Sequence, residues 1–431
     1  MHQLDRMPCD AFGLDARNRN SHHRVMADGH DHSTWDVEAA VVGGGPAGLT
    51  AAIALAAGGI DTALIAEPPR PDNRTTALLA GSVTALESLG VWEICRSHAA
   101  ALTGIRLIDD TARLLRAPQV TFSAAEIGLD SFGHNIENIH LIAALHARAA
   151  TFARIARFDE QASAVDIGTD HVTVRLASGR VVRARLVIGA DGRRSLCRTA
   201  AGIASDSRDY PQSALTLNCA HARPHNGIST EFHTESGPFT LVPLPGARSS
   251  LVCVVSPPVA KRLAALDTAE LGAMVERRAH SILGRVTVEP GVGLFRLGIE
   301  TARTFAGARV ALVGEAAHVI PPIGAQGLNL GLRDAATIAE LAAAARRDGE
   351  DIGSPALLAR YDGLRRADVR TRTFAVDVLN RSLLSDVLPI HALRGLGLYL
   401  LDRVGPLRRA VMREGVSPIA AAPRLMRGEH P

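Results

Sequence analysis

A chain of 431 residues that is 47% apolar has material for two or three buried cores. A net charge of only +3, with no basic patch interleaved with aromatics, argues against nucleic acid as a partner. The five cysteines, Cys9, Cys95, Cys197, Cys219 and Cys253, are scattered and lack C-x-x-C spacing, which points to a reducing cytoplasm and argues against a disulfide framework or zinc site.

Residues 1–35 are polar and rich in His, Asp, Asn and Arg. They lack the apolar stretch of a signal peptide and read as a disordered leader rather than as metal ligands at His22, His23, His30 and His32. From Asp36 to Val42 the pattern alternates and then runs apolar, as a buried parallel strand does. Gly43, Gly45 and Gly48 follow at G-x-G-x-x-G spacing, before a helical run from Leu49 to Ala57. In such a unit the first glycine permits the turn, the second admits a pyrophosphate and the third lets helix and strand pack closely. The pyrophosphate sits on the N–H groups and positive dipole end of the helix. A second strand, Thr62–Ala66, ends at Glu67, about 20 residues past the last glycine, where a carboxylate binds ribose hydroxyls and disfavours a 2′-phosphate.

Asp72–Trp92 reads as a loop and then an amphipathic helix. Arg74 in that loop stands either over the dinucleotide or in solvent. Gly104–Arg116 alternates as a strand or hairpin, and His140–Ala150 returns to helical spacing. Three strand-like runs, Val165–Ile167, His171–Leu176 and Val181–Ile188, form a meander that ends at Asp191-Gly192. Ligands of doubly wound sheets gather at such carboxyl ends. Strands in series between Tyr210 and Ser256, with no helices among them, imply an inserted antiparallel sheet. Leu263–Ile282 is helical, and Phe295–Arg303 with Arg309–Val313 is expected to return to the dinucleotide domain. No run of about 18 uncharged apolar residues is present to span a bilayer.

Val310–Val313 is a short buried strand and Asn329–Ala345 an alanine-rich helix. Between them Gly314–Gly327 carries Pro321, Pro322, Gly324 and Gly327, which exclude regular structure. A helix N-terminus at the end of that loop suits the negative N1 and C2=O edge of a reduced flavin. Glu315 is placed to accept hydrogen bonds from ribityl hydroxyls. The other reading is a surface loop whose prolines only stop a helix.

Together the GGGPAGL turn, the RTTALL loop with Arg74, the ADGRRS-x-x-R run with Asp191, Ser195 and Arg198, and the GEAAH to GLRD run resemble the class A flavoprotein monooxygenases of the p-hydroxybenzoate hydroxylase fold. SGPFTLVPLPG at Ser236–Gly246 and LNR at Leu379–Arg381 resemble the ubiquinone-biosynthesis hydroxylases within them. The resemblance covers Asp36–Val416, with Glu315 standing where the wider superfamily usually has Asp.

The resemblance implies an α/β fold: a discontinuous FAD-binding Rossmann-like domain (36–104, 121–207 and 296–356), an inserted antiparallel-sheet substrate domain (105–120 and 208–295) and a C-terminal helical region (357–431). FAD would be held by Gly43, Gly45, Ala47, Gly48, Glu67, Arg74 and Asp191, then by Gly314, Glu315, Gly324, Gln326, Gly327, Leu328 and Asn329. The loop of His318, Pro321, Pro322 and Gly324 would line the oxygen-transfer side, with His318 either anchoring the loop or carrying a proton. The implied reaction is hydroxylation of a polyprenylated phenol in ubiquinone biosynthesis by O2 through a flavin C4a-hydroperoxide. Electrons would come from NAD(P)H or a protein donor. Implied partners are the membrane-dissolved prenylphenol, other ubiquinone-synthesis proteins and a second copy in a homodimer. Leu383–Leu407, with Arg394, Arg403, Arg408 and Arg409, reads as a cap or dimer interface, or as an amphipathic pair on the inner membrane face. Two further readings remain: a monooxygenase of a soluble aromatic metabolite, and a non-catalytic member of a ubiquinone-synthesis complex.

Overall fold

The computed structural model describes residues 34–69, 72–112, 116–322, 324–384, 403–416 and 422–431, with the side chains of 375–384 and 415–416 outside the description. The expected leader up to residue 33, and residues 385–402 of the arginine-flanked segment, lie outside the described residues. The first strand, Thr34–Val42, begins two residues inside the expected leader.

Thr34–Val42 is central to an eight-stranded sheet. It pairs in parallel with Val181–Gly189 on one side and Thr62–Ile65 on the other. Val310–Leu312 and Ile155–Phe158 extend the parallel array, and the strands Ala162–Ile167 and Val172–Leu176 form the expected antiparallel meander. Its central strands are apolar because helices Pro46–Ala57 and Gln326–Arg347 cover them, packed on each other through small residues. A Cβ added at Gly331 would stand 3.2 Å from both the Ala47 Cβ and the Gly314 Cα, so the scarcity of aromatics, 3% of the chain, goes with closely spaced backbones.

The second sheet has nine strands, built around Ser205–His221, Ile228–Thr234, Gly237–Leu244 and Arg248–Val255. The hairpin Gly104–Asp109 and Val120–Ser123 joins it through a parallel pairing of Gly104–Asp109 with Ile228–Thr234, so the sheet is mixed rather than wholly antiparallel. Gly293–Ala302 pairs with Ser205–His221, so Phe295–Arg303 belongs by its hydrogen bonds to this sheet and not to the dinucleotide sheet. The expected helix Leu263–Ile282 is two helices, Pro257–Ala264 and Thr268–Arg278. The break falls where Asp267 and Glu270 close a capping box. These helices cover the apolar face of Leu215, Leu217, Phe232, Phe239 and Leu251.

A third, three-stranded sheet joins Thr75–Leu79, Gly133–Glu137 and Ala99–Ala101. Thr75–Leu79 was expected as loop and helix, and the helix begins only at Ala80. Among the described residues no helix is long and apolar enough to cross a membrane.

Candidate flavin site

The carboxyl ends of three parallel strands bring the remote motifs together. Ala190 N–H donates to the Val42 carbonyl at 2.8 Å, and Val313 N–H to the Gly189 carbonyl at 2.9 Å, so the turns after each strand lie side by side. Gly43 has φ 119°, and a Cβ there would fall 2.1 Å from the Ala190 carbonyl oxygen. A Cβ at Gly48 would fall 2.1 Å from the Gly43 carbonyl oxygen. Both glycines are therefore demanded by the protein's own backbone.

Gly45 differs. It is exposed, its φ is −72°, and a Cβ there would meet nothing within 4 Å. No side chain caps the helix Pro46–Ala57 that begins beside it. The space in front of Gly45 is a cleft of about 1030 Å³. Its walls include Gly43–Pro46, Glu67, Asp72–Arg74 and Asp191–Gly192 from the first sheet's side, and Thr216, Gly291–Gly293 and Phe295 from the second sheet. An uncapped helix N-terminus facing a cleft is suited to an anion, and this volume admits a dinucleotide-sized ligand.

Arg74 is fixed at the edge of this cleft. Its Nε and Nη2 donate to the Asp72 carboxylate at 2.8 and 2.7 Å, and its guanidinium stands 5.7 Å from the Phe295 ring centroid. Hydrogen bonding to Asp72, with Glu315 adding to the field, holds Arg74 above the usual arginine range despite partial burial. Arg74 is thus bound to protein groups rather than simply solvated.

The Asp191 carboxylate turns toward its own chain. Oδ1 accepts from Ser195 Oγ at 2.6 Å and Oδ2 from Cys197 N–H at 3.1 Å, which holds the turn before the helix Leu196–Ala200. Asp191 therefore offers the cleft mainly its backbone and the adjoining Gly192.

The third motif reaches the site through the first. Gly314 packs on Ala47, a Cβ there standing 3.2 Å from the Ala47 Cβ. The helix begins at Gln326, three residues earlier than expected, so Gln326, Gly327, Leu328 and Asn329 form its first turn. Asn329 ties the Arg74 segment to this helix start: its Oδ1 accepts from Leu79 N–H at 2.8 Å and its Nδ2 donates to the Ala77 carbonyl at 2.8 Å. That first turn holds no acidic residue and no capping side chain, and a Cβ at Gly327 would meet nothing within 4 Å. Gln326 and Asn329 line a separate, smaller recess with Leu79, not the main cleft. Glu315, Pro322 and Gly324 are exposed, Pro321 is buried, and residue 323 lies outside the described residues.

His318 is placed otherwise. Its side chain is fully buried, its Nε2 lies 2.7 Å from Asp334 Oδ2, and its segment His318–Val319 pairs with Gly293–Ala302. Of the two sequence readings for His318, this geometry matches the loop anchor, and the ring does not open on the cleft.

Residues 36–374 match the family model described as an FAD binding domain. The chain belongs to the FAD-binding-domain family. Ubiquinone hydroxylase UbiL of Rhodospirillum rubrum is 37% identical over 403 residues, 90% of this chain and 92% of that protein. The 3-demethoxyubiquinol 3-hydroxylase of Escherichia coli is 32% identical, over 87% of this chain and 97% of its own length. Among solved structures, p-nitrophenol 4-monooxygenase PnpA from Pseudomonas putida superposes with TM-score 0.73 at 20% identity, covering 88% of this chain and 98% of that one. Klebsiella pneumoniae HpxO, complexed with FAD and uric acid, gives 0.70 at 20% identity over 88% and 96%. These two likenesses carry the fold.

Within this FAD-binding fold, the sequence motif ends on Asp334 without giving it a role, and sequence reasoning missed Arg365. Asp334 is fully buried. Burial raises its carboxyl, but His318 and Arg365 together outweigh that and hold it below the usual carboxylate range. The sequence signal for Asp334 was its place at the end of the GLRD run, which does not say what the carboxylate holds, and Arg365 carried no such signal.

Proposed function

We propose that this chain is an FAD-dependent aromatic-ring hydroxylase of ubiquinone biosynthesis, acting on a polyprenylated phenol. Family membership supports the cofactor, and the near full-length similarity to two ubiquinone-pathway hydroxylases supports the reaction and pathway. The observation that carries the reading is the cleft in front of Gly45: a glycine with no need of its own to be glycine, at an uncapped helix start, faced by a wall from a second sheet. Bound there, FAD supplies electron transfer and activation of O2 for insertion into an electron-rich ring.

The chain's own residues bind, orient and exclude water. The N–H groups at Pro46–Ala57 receive the pyrophosphate over Gly45, and Glu67 at the cleft wall receives ribose hydroxyls. Arg74, tethered by Asp72, offers a fixed positive charge over the dinucleotide. The open first turn at Gln326–Asn329 would favour negative charge on a bound flavin, and the exposed Glu315 would accept from its ribityl hydroxyls. Gly314 and Ala47 hold the third motif on the first, and Leu328 packs the helix start on the main core. Pro321, Pro322 and Gly324 shape a loop that would line the oxygen-transfer side, with His318 as its anchor. Electrons come from a reduced nicotinamide or from a protein donor. The substrate's prenyl tail places the working protein at a membrane surface.

The test is removal of the protein from its host, followed by mass spectrometry of lipid extracts. Loss of ubiquinone, accumulation of a prenylphenol lacking one hydroxyl, and recovery with the wild-type chain but not with Gly45→Asp are expected. Unchanged ubiquinone in the deletion strain would sink the reading.

A further inference from the structure

A chain of charges runs beneath the third motif from a helix none of whose described residues line the cleft. Asp334 Oδ2 accepts from the Gly314 N–H at 3.0 Å and from His318 Nε2 at 2.7 Å. Its Oδ1 accepts from Arg365 Nε at 2.7 Å. Arg365 stands on the long helix Pro355–Leu384, and its Nη1 donates to Asp368 Oδ2 at 2.7 Å. Asp368 Oδ1 accepts from Arg372 Nε at 3.0 Å, and Arg372 Nη1 donates to Gln326 Oε1 at 3.2 Å. The path starts at Gly314 and ends at Gln326. It therefore grips the loop at its beginning, middle and end.

Simple attachment of a helix does not need such a chain, since buried charges are costly to desolvate and apolar packing would hold the helix as well. What charged hydrogen bonds add is direction, which apolar contact lacks. The loop has a use for it. Ala325, immediately before the helix start, has φ 54°, a left-handed conformation that a residue with a Cβ keeps only where its surroundings fix it. Asn329 Nδ2 grips the Ala325 carbonyl at 2.6 Å, and Gln326 Nε2 donates to the Gly324 carbonyl at 3.0 Å. Gln326 is in turn the residue that Arg372 holds.

We propose that Arg365 is a positioning residue for the flavin: through Asp334 at Gly314 and His318, and through Asp368 and Arg372 at Gln326, it fixes the loop and the helix start against the isoalloxazine ring. The proposal rests on the FAD-binding reading above. Arg365 is buried and does not line the cleft, so its effect on the flavin runs through the residues it holds.

The test uses purified wild-type chain, Arg365→Lys, Arg365→Met and Arg372→Gln. The FAD dissociation constant of each apoprotein, the midpoint potential of the bound flavin and the apoprotein's thermal midpoint are measured. Arg365→Met is expected to weaken FAD binding roughly tenfold or more and to move the midpoint potential, since a buried charged partner is lost from Asp334. Arg365→Lys, which keeps the charge but not the two-armed geometry, should fall between Met and wild type. Arg372→Gln, which removes the bond to Gln326 and that to Asp368 but leaves Asp368 held by Arg365, should weaken FAD binding and move the potential while lowering the thermal midpoint less than Arg365→Met does. If Arg365→Met fails to fold, Arg372→Gln decides alone. Folded variants with wild-type affinity and potential would overturn the proposal. A wild-type apoprotein that takes up no FAD would instead overturn the functional reading itself.

Discussion

Gly43, Gly45 and Gly48 look alike in the sequence, where only their spacing is visible, yet their reasons differ. Side chains at positions 43 and 48 would collide with the protein's own carbonyls, whereas one at 45 would collide with nothing the chain contains. A substitution at 45 should therefore separate binding from folding. Gly45→Asp should keep the thermal midpoint of the wild-type apoprotein, with a stability change under about 0.5 kcal/mol, and lose flavin absorbance. Gly43→Ala should fail to fold, because it combines a positive φ with an impossible contact. A Gly45→Asp protein purifying as yellow as wild type would show that the pyrophosphate lies elsewhere. The same limit explains Asp334 and Arg365. Asp334 closes the GLRD run and Arg365 stands alone on its helix, and nothing in their spacing says that the two meet at 2.7 Å.

Elements were legible where periodicity or turn chemistry is local, as in the glycine-turn unit and the meander ending at Asp191. They were not legible where pairing decides. Thr75–Leu79 is a strand because Gly133–Glu137 offers it an edge, and Gly293–Ala302 joins the second sheet because Ser205–His221 does. The break at Asp267 did carry a local sign, the Asp267–Glu270 capping box.

One consequence for stability belongs to the strand Gly133–Glu137 and the helix Asn138–Ala149 that follows it. They carry His134, His140 and His146, each held below the usual imidazole range, chiefly by burial. Arg157 adds to that effect at His146, and neither of its ring nitrogens has a hydrogen-bond partner among the described residues. Well above pH 6.5 these rings are neutral both folded and unfolded and contribute no pH dependence. As pH falls below the reference value of 6.5 the unfolded chain takes up protons that the folded one resists, so stability declines toward the lowered folded values. The thermal midpoint should fall between about pH 7 and pH 5, and His146→Leu should flatten part of that fall. A His146→Leu curve parallel to wild type would mean that this imidazole is not a source.

At the scale of the whole molecule, the cleft needs two sheets held in one relation, and Arg198 crosses between them. Its Nη1 donates to the Ala316 carbonyl of the third motif at 2.9 Å. Its Nη2 donates to the Arg193 carbonyl of the second motif at 2.8 Å and to Glu300 Oε1 on the second sheet at 3.0 Å. The two side chains are 13% and 12% exposed, so solvent screens the pair little. Glu300 also accepts from Arg193 Nε at 3.0 Å and Ser205 Oγ at 2.9 Å, and would not be stranded without Arg198. Arg198→Met should therefore cost about 2 kcal/mol in denaturant unfolding, not the larger loss of an abandoned buried charge. Glu300→Gln should cost less, because its one amide oxygen can still accept from Arg198 and Ser205, and only the bond from the half-exposed Arg193 loses its acceptor. Flavin affinity should fall in both variants, since the walls of the cleft come from both sheets. If Arg198→Met lowers stability yet binds FAD as tightly as wild type, the relation between the sheets is set elsewhere, most directly at the pairing of His318–Val319 with Gly293–Ala302.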